Sequence, residues 1–101
     1  MNPLDALLAA AEAQVAAART ANAGALAAAT EARVAAMAAL DVDAIRRDPV
    51  ARQAAADVAR KVRALDLRLR ACGDTVLAAF GSVDRQAAPA TYGRRGQYRG
   101  A

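Results

Sequence analysis

The sequence predicts an all-α fold, a long antiparallel helical hairpin with a short basic tail. About a third of its 101 residues are alanine, the strongest helix former. From Pro49 to about Arg85 the residues Val50, Ala54, Val58, Val62, Leu65, Leu69, Cys72, Val76, Phe80 and Val83 recur every three or four positions, which is the spacing of one helix face. Asn2-Pro3 and Asp48-Pro49 each place an oxygen acceptor ahead of a proline, the pattern of an N-cap and a first helical position. One phenylalanine, two tyrosines and no alternating β-branched run leave nothing from which to build a sheet.

The first helix is expected over residues 3–40. Asp5 suits the positive end of its dipole. Its apolar line is Leu4, Leu8, Ala11, Val15 and Ala18. No large side chain follows until Leu26, and Asn22 and Gly24 mark that gap as a weak point or a kink. The line resumes in a shifted phase at Leu26, Val34, Met37 and Leu40. Residues 41–48 form the connection, with Val42 and Ile45 placed for a short helical turn. Asp48 precedes a proline and is pushed out of helical geometry.

The second helix is expected over residues 49–86, about 55 Å at the usual helical rise. Arg52, Asp57, Arg60, Lys61, Arg63, Asp66, Arg68, Arg70 and Asp74 fill the places between its apolar residues. Its face is therefore amphipathic along the whole length. Residues 1–88 make up the hairpin. Residues 89–101 hold three glycines, three arginines and two tyrosines and no aliphatic side chain larger than alanine, so a flexible tail is expected.

Residues larger than alanine that can form a core number only about twenty, and alanine buries little area. Two helices leave apolar surface on their outer side. Dimerisation into a four-helix bundle, or a helix from a partner, would cover it.

Composition excludes much chemistry. The chain has no histidine and one cysteine, so an imidazole base and a multi-cysteine metal site are both absent. No glycine-rich phosphate loop follows a strand. Asp41 and Asp43 read as a solvated loop, and Cys72 reads as a small buried hydrophobe on the apolar line. A protein without enzymatic activity or cofactor is expected. An unpaired cysteine fits a reduced, cytoplasmic setting. Asp5, Glu12 and Gln14 interrupt the start of the chain, which is not the pattern of a signal peptide. No apolar run approaches the roughly 18 residues that cross a bilayer.

The net charge of +4 is uneven. Residues 1–48 hold four arginines against six acids, and residues 49–101 hold ten basic residues against four acids. Three uses of the stripe and the tail remain. The stripe can be the seam of a self-assembling hairpin. The tail, Gly93-Arg94-Arg95-Gly96-Gln97-Tyr98-Arg99-Gly100, suits loose, salt-sensitive contact with nucleic acid. Or the stripe offers an apolar face to a helix of another protein.

The last of these has a further support. The run from Leu69 to Val83, followed by Thr91-Tyr92-Gly93-Arg94-Arg95-Gly96-Gln97, resembles the C-terminal part of flagellar export chaperones of the FlgN type. The resemblance implies a small, cytoplasmic, all-helical chaperone. Such a protein holds C-terminal helical segments of the hook–filament junction proteins and delivers them to the flagellar type III export gate. It implies that Leu69, Cys72, Val76, Phe80 and Val83 receive the client helix. It also implies that Tyr92 docks the cytoplasmic domain of the gate. The chain departs from the family in its shorter length, in alanines where the first helix has leucines, and in a second tail tyrosine, Tyr98.

Overall fold

The structure is a computed structural model that describes residues 1–87, with side chains through residue 79. The described residues form four helices and no strand: α1 (Pro3–Arg19), α2 (Ala23–Ala38), α3 (Val42–Arg47) and α4 (Pro49–Ala87). The all-α expectation is met. The expected tail at residues 89–101 lies outside the described residues.

Every helix starts on an Asn or Asp that accepts from a free amide of the first turn. Asn2 Oδ1 accepts from the Asp5 amide at 2.9 Å, and Asn22 Oδ1 from the Ala25 amide at 3.0 Å. Asp41 Oδ1 accepts from the Ala44 amide and Asp48 Oδ1 from the Val50 amide, both at 3.0 Å. Pro3 and Pro49 occupy first helical positions, where a missing donor costs nothing.

The single helix expected over residues 3–40 is two helices. α1 ends in a complete C-terminal turn: the Asn22 amide donates to the Ala17 carbonyl at 2.9 Å and the Ala21 amide to the Ala18 carbonyl at 3.1 Å. This turn needs a left-handed residue after the cap, and Ala21 supplies it with φ 53°. Asn22 then caps α2 at once. Gly24, the residue the sequence marked as weak, sits quietly in the first turn of α2. The chain reverses completely, and α2 packs back along α1.

α1 is the middle layer. Its start lies beside Leu40 and Ala51, and its end beside Leu26 and Cys72. It therefore runs antiparallel to α2 and parallel to α4. α2 and α4 both pack on α1, but among the described residues no Cα of α2 comes within 8 Å of one in α4. α3 closes the lower end against the first turns of α4. Arg52 Nη1 donates to the Arg46 carbonyl at 2.6 Å and ties the two together.

The core is narrow. Leu7, Ala11, Ala36 and Val62 form its buried centre, with Ala6, Leu8, Leu40, Val58 and Leu65 packed round it. Among the described residues, five of the eight buried hydrophobic ones are alanines: Ala10, Ala11, Ala17, Ala29 and Ala36. A methyl group at the contact lets helices approach closely but removes little area from water. The line expected on the first helix through Leu4, Leu8, Ala11, Val15 and Ala18 faces inward.

Besides Val76, which is 42% exposed, two parts of the expected stripes do not. On α2, Val34 is 63% exposed and Met37 53%, while Ala29, Arg33 and Ala36 face inward between Leu26 and Leu40. The closely packed alanines set the phase of this helix, so its larger side chains turn outward. On α4, Val50 is 77% exposed and Ala54 is exposed, and Ala51 and Ala55 take the half-buried places. α3 meets that turn of α4 through the Ala51 side, which fixes which face is covered.

Ala21 holds its left-handed backbone without help from glycine. Ala21→Gly should raise unfolding stability by about 0.5–1 kcal/mol, because relief of strain exceeds the added freedom of the unfolded chain. Thermal melts of the two proteins, followed by circular dichroism at 222 nm, check the sign.

Candidate functional site

Because α2 and α4 diverge over α1, they leave a groove above its C-terminal half. α1 supplies the floor through Gln14, Ala17 and Ala18. One wall is the turn at Ala21 to Ala23, continued by Leu26 and Thr30 of α2. The other wall is α4, through Leu69, Cys72, Gly73 and Val76. The cavity measures about 490 Å³ and opens to solvent. Alanine, leucine, valine and glycine make up most of its surface, so it prefers an apolar occupant.

One end is closed by a polar chain. Arg33 of α2 reaches over α1 to Asp66 of α4 with two parallel hydrogen bonds, Nη1 to Oδ1 at 2.6 Å and Nη2 to Oδ2 at 2.9 Å. Arg33 Nη1 also donates to Gln14 Oε1 at 2.8 Å. Gln14 is buried, and its Nε2 donates to Thr30 Oγ1 at 3.0 Å. The Thr30 hydroxyl donates onward to the Leu26 carbonyl at 2.9 Å. That last bond uses the hydroxyl proton, so Thr30 must accept from the Gln14 amide nitrogen. Gln14 then has its oxygen free for Arg33. All three long helices are joined by this one chain. The bidentate geometry is the strong form of an arginine–carboxylate contact.

The hydrogen bonds from Arg33 hold the Asp66 carboxyl below its ordinary value, and the contact with Asp66 raises Arg33. Asp57 is lowered in the same way by Arg60, one helical turn away on the outer face of α4. Lys61, Arg63, Arg68 and Arg70 are exposed and form no ion pair among the described residues, so the exposed sides of α4 carry unpaired positive charge.

Three of the six residues singled out in the sequence, Leu69, Cys72 and Val76, line the groove together. Cys72 is a free, half-buried thiol in its wall. Positions 80 and 83 belong to α4 beyond the groove, and the side chains of Phe80 and Val83 lie outside those described. Tyr92 lies outside the described residues. The sequence reading missed the second wall and the polar closure. One signal for Arg33 was present: it stands seven residues from both Leu26 and Leu40, on their face of the helix.

Gly73 is unusual in this wall. It sits inside a long helix, and a Cβ built on it meets nothing within 4 Å. No packing among the described residues requires glycine there. Among the described residues no helix is long and apolar enough to cross a membrane, and no group of three or more histidine, cysteine or acidic residues is placed to hold a metal.

No protein-family model matches the chain, and neither a curated protein nor a solved structure matches it significantly.

Two outcomes follow from this geometry. Asp66→Ala should destabilise the fold by about 1 kcal/mol, a value held down because its side chain is 43% exposed. The folded carboxyl lies below its unfolded value near 3.9, so its contribution is present above about pH 4 and fades as pH falls through the folded value. Urea melts from pH 7 to pH 3 should therefore show the wild-type advantage over Asp66→Ala shrinking in acid. Gly73→Ala should stabilise the chain by about 0.5–1 kcal/mol, since it improves helix propensity and meets open space. A loss of stability in the same melts would show that the site is crowded.

Proposed function

We propose that this chain is a binding protein that takes an amphipathic helix of a client into the groove above α1. The observation that supports it is the groove itself. It is apolar, open, bounded by helices and bordered at one end by Gln14 and Thr30 of the polar chain that runs to the Arg33–Asp66 pair. An occupant helix would bury its apolar residues against Leu69, Cys72 and Val76 on one side and Leu26 on the other. The small side chains of the floor leave room for large anchors on the client.

The resemblance of the chain from Leu69 to Gln97 to FlgN-type chaperones supplies a client class. On this reading the occupant is the C-terminal helical segment of a hook–filament junction protein, kept from aggregation in the cytosol. Phe80 and Val83 extend the receiving surface along α4. Tyr92 docks the cytoplasmic domain of the flagellar type III export gate, so that holding and delivery use separate parts of the chain.

Titration of the purified chain with such segments, read by calorimetry, tests the proposal. Binding with a negative heat-capacity change is expected, because apolar surface is buried. Val76→Asp and Phe80→Asp should each weaken it by at least about tenfold, roughly 1.4 kcal/mol, with helicity unchanged. Tyr92→Ala should leave client affinity intact and lower export in cells. Client affinity that does not respond to either aspartate would place the client elsewhere, and equal loss of binding and export in Tyr92→Ala would remove the division of labour.

A further inference from the structure

α4 extends beyond the other described helices. Val76 is its last residue in the groove wall, and the helix continues to Ala87, eleven residues or about 16 Å further. In the other direction, the wall runs seven residues back from Val76 to Leu69, or about 10 Å. The projecting segment is thus long enough to span the groove, and Val76 lies between them.

The apolar spacing is symmetric about the same residue. Leu69, Cys72, Val76, Phe80 and Val83 are separated by three, four, four and three positions. Two copies of α4 crossing antiparallel with a two-fold axis at Val76 bring every one of these positions opposite another. Leu69 meets Val83 of the second copy, Cys72 meets Phe80 of the second copy, and the two Val76 residues meet each other. The same register sets Arg68 opposite Asp84 of the second copy, a pair of opposite charges. It also sets Gly73 opposite Ala79 of the second copy, so that the helices can approach where the chain itself leaves open space.

We infer that in the absence of a client the groove is filled by a second copy of this chain, whose α4 end beyond Val76 lies in it while its own groove is filled in return. The arrangement is closed and two-fold, because one surface serves both copies. It uses the groove named in the proposed function but does not depend on who the client is. A client and a second copy compete for one space, so dimer formation keeps the apolar wall covered until a client displaces it.

The test uses the full chain and no client, and so is separate from the client titration. Light scattering should give a mass of twice 10.3 kDa at high micromolar concentration, falling on dilution. In a Cys72→Ser background, Val76→Cys should form a disulfide-linked dimer on mild oxidation. Val83→Cys alone should not, because the two positions stand about 21 Å apart along the axis and a disulfide needs Cα atoms within about 7 Å. Leu69→Cys combined with Val83→Cys should crosslink. Gly73→Leu, whose Cβ meets nothing within 4 Å among the described residues, should shift the protein to monomer with helicity retained. A monomer at every concentration, crosslinking of Val83→Cys as fast as Val76→Cys, or a Gly73→Leu dimer as stable as the parent would each overturn the inference.

Discussion

The register of the two outer helices depends on the contact between Arg33 and Asp66. The backbones of α2 and α4 stay apart, and α1 alone fills the space between them. What holds the two outer helices in register is a bidentate ion pair across the middle layer, supported from below by the buried amide of Gln14. A chain with a larger core would not need it. Here alanine makes up most of the buried apolar set, and alanine contacts have few features that distinguish one register from the next. A polar pair with fixed geometry does distinguish them. Its partial exposure limits what it adds to stability, so its main role is to select one arrangement.

The same pair shapes the site. Where Arg33 meets Asp66 the outer helices are bridged, and beyond that point they are not. The groove starts there because the bridging stops. It stays apolar because the turn at Ala21 to Ala23 is built from small residues, and because α4 presents its Leu69, Cys72 and Val76 line beside the end of α1. The surplus length of α4 is thus a structural statement as well as a sequence one. An amphipathic helix that extends past the other described helices carries an apolar sequence face with no partner among the described residues.

Much of this was legible in the sequence, for reasons that can be named. The start of α4 was clear because Asp48 and Pro49 give both a cap and a first residue. The wall of the groove on α4 was clear because leucine, valine and cysteine stand out among charges. The turn after α1 was not. Its left-handed position is filled by Ala21, which looks like any other alanine, while Gly24 offered a false signal two residues after the cap at Asn22. The phase of α2 was hidden for a related reason. A buried alanine and an exposed one are identical in sequence, so Val34 and Met37 outweighed Ala29 and Ala36, which do the packing. Without the turn, Leu26 could not be placed opposite Leu69, and the groove had only one wall.

The central claim is that an amphipathic helix occupies the space between Leu26 and Cys72. Cys72 is the single thiol of the chain and lines that space, so its alkylation rate reports occupancy directly. The measurement is the rate of iodoacetamide labelling in dilute protein, with and without a saturating C-terminal helical segment from a hook–filament junction protein. A marked fall in rate on binding, with far-ultraviolet dichroism showing the bundle intact, is the predicted result. Binding that leaves the Cys72 rate unchanged would contradict the account, because the client would then sit outside the groove.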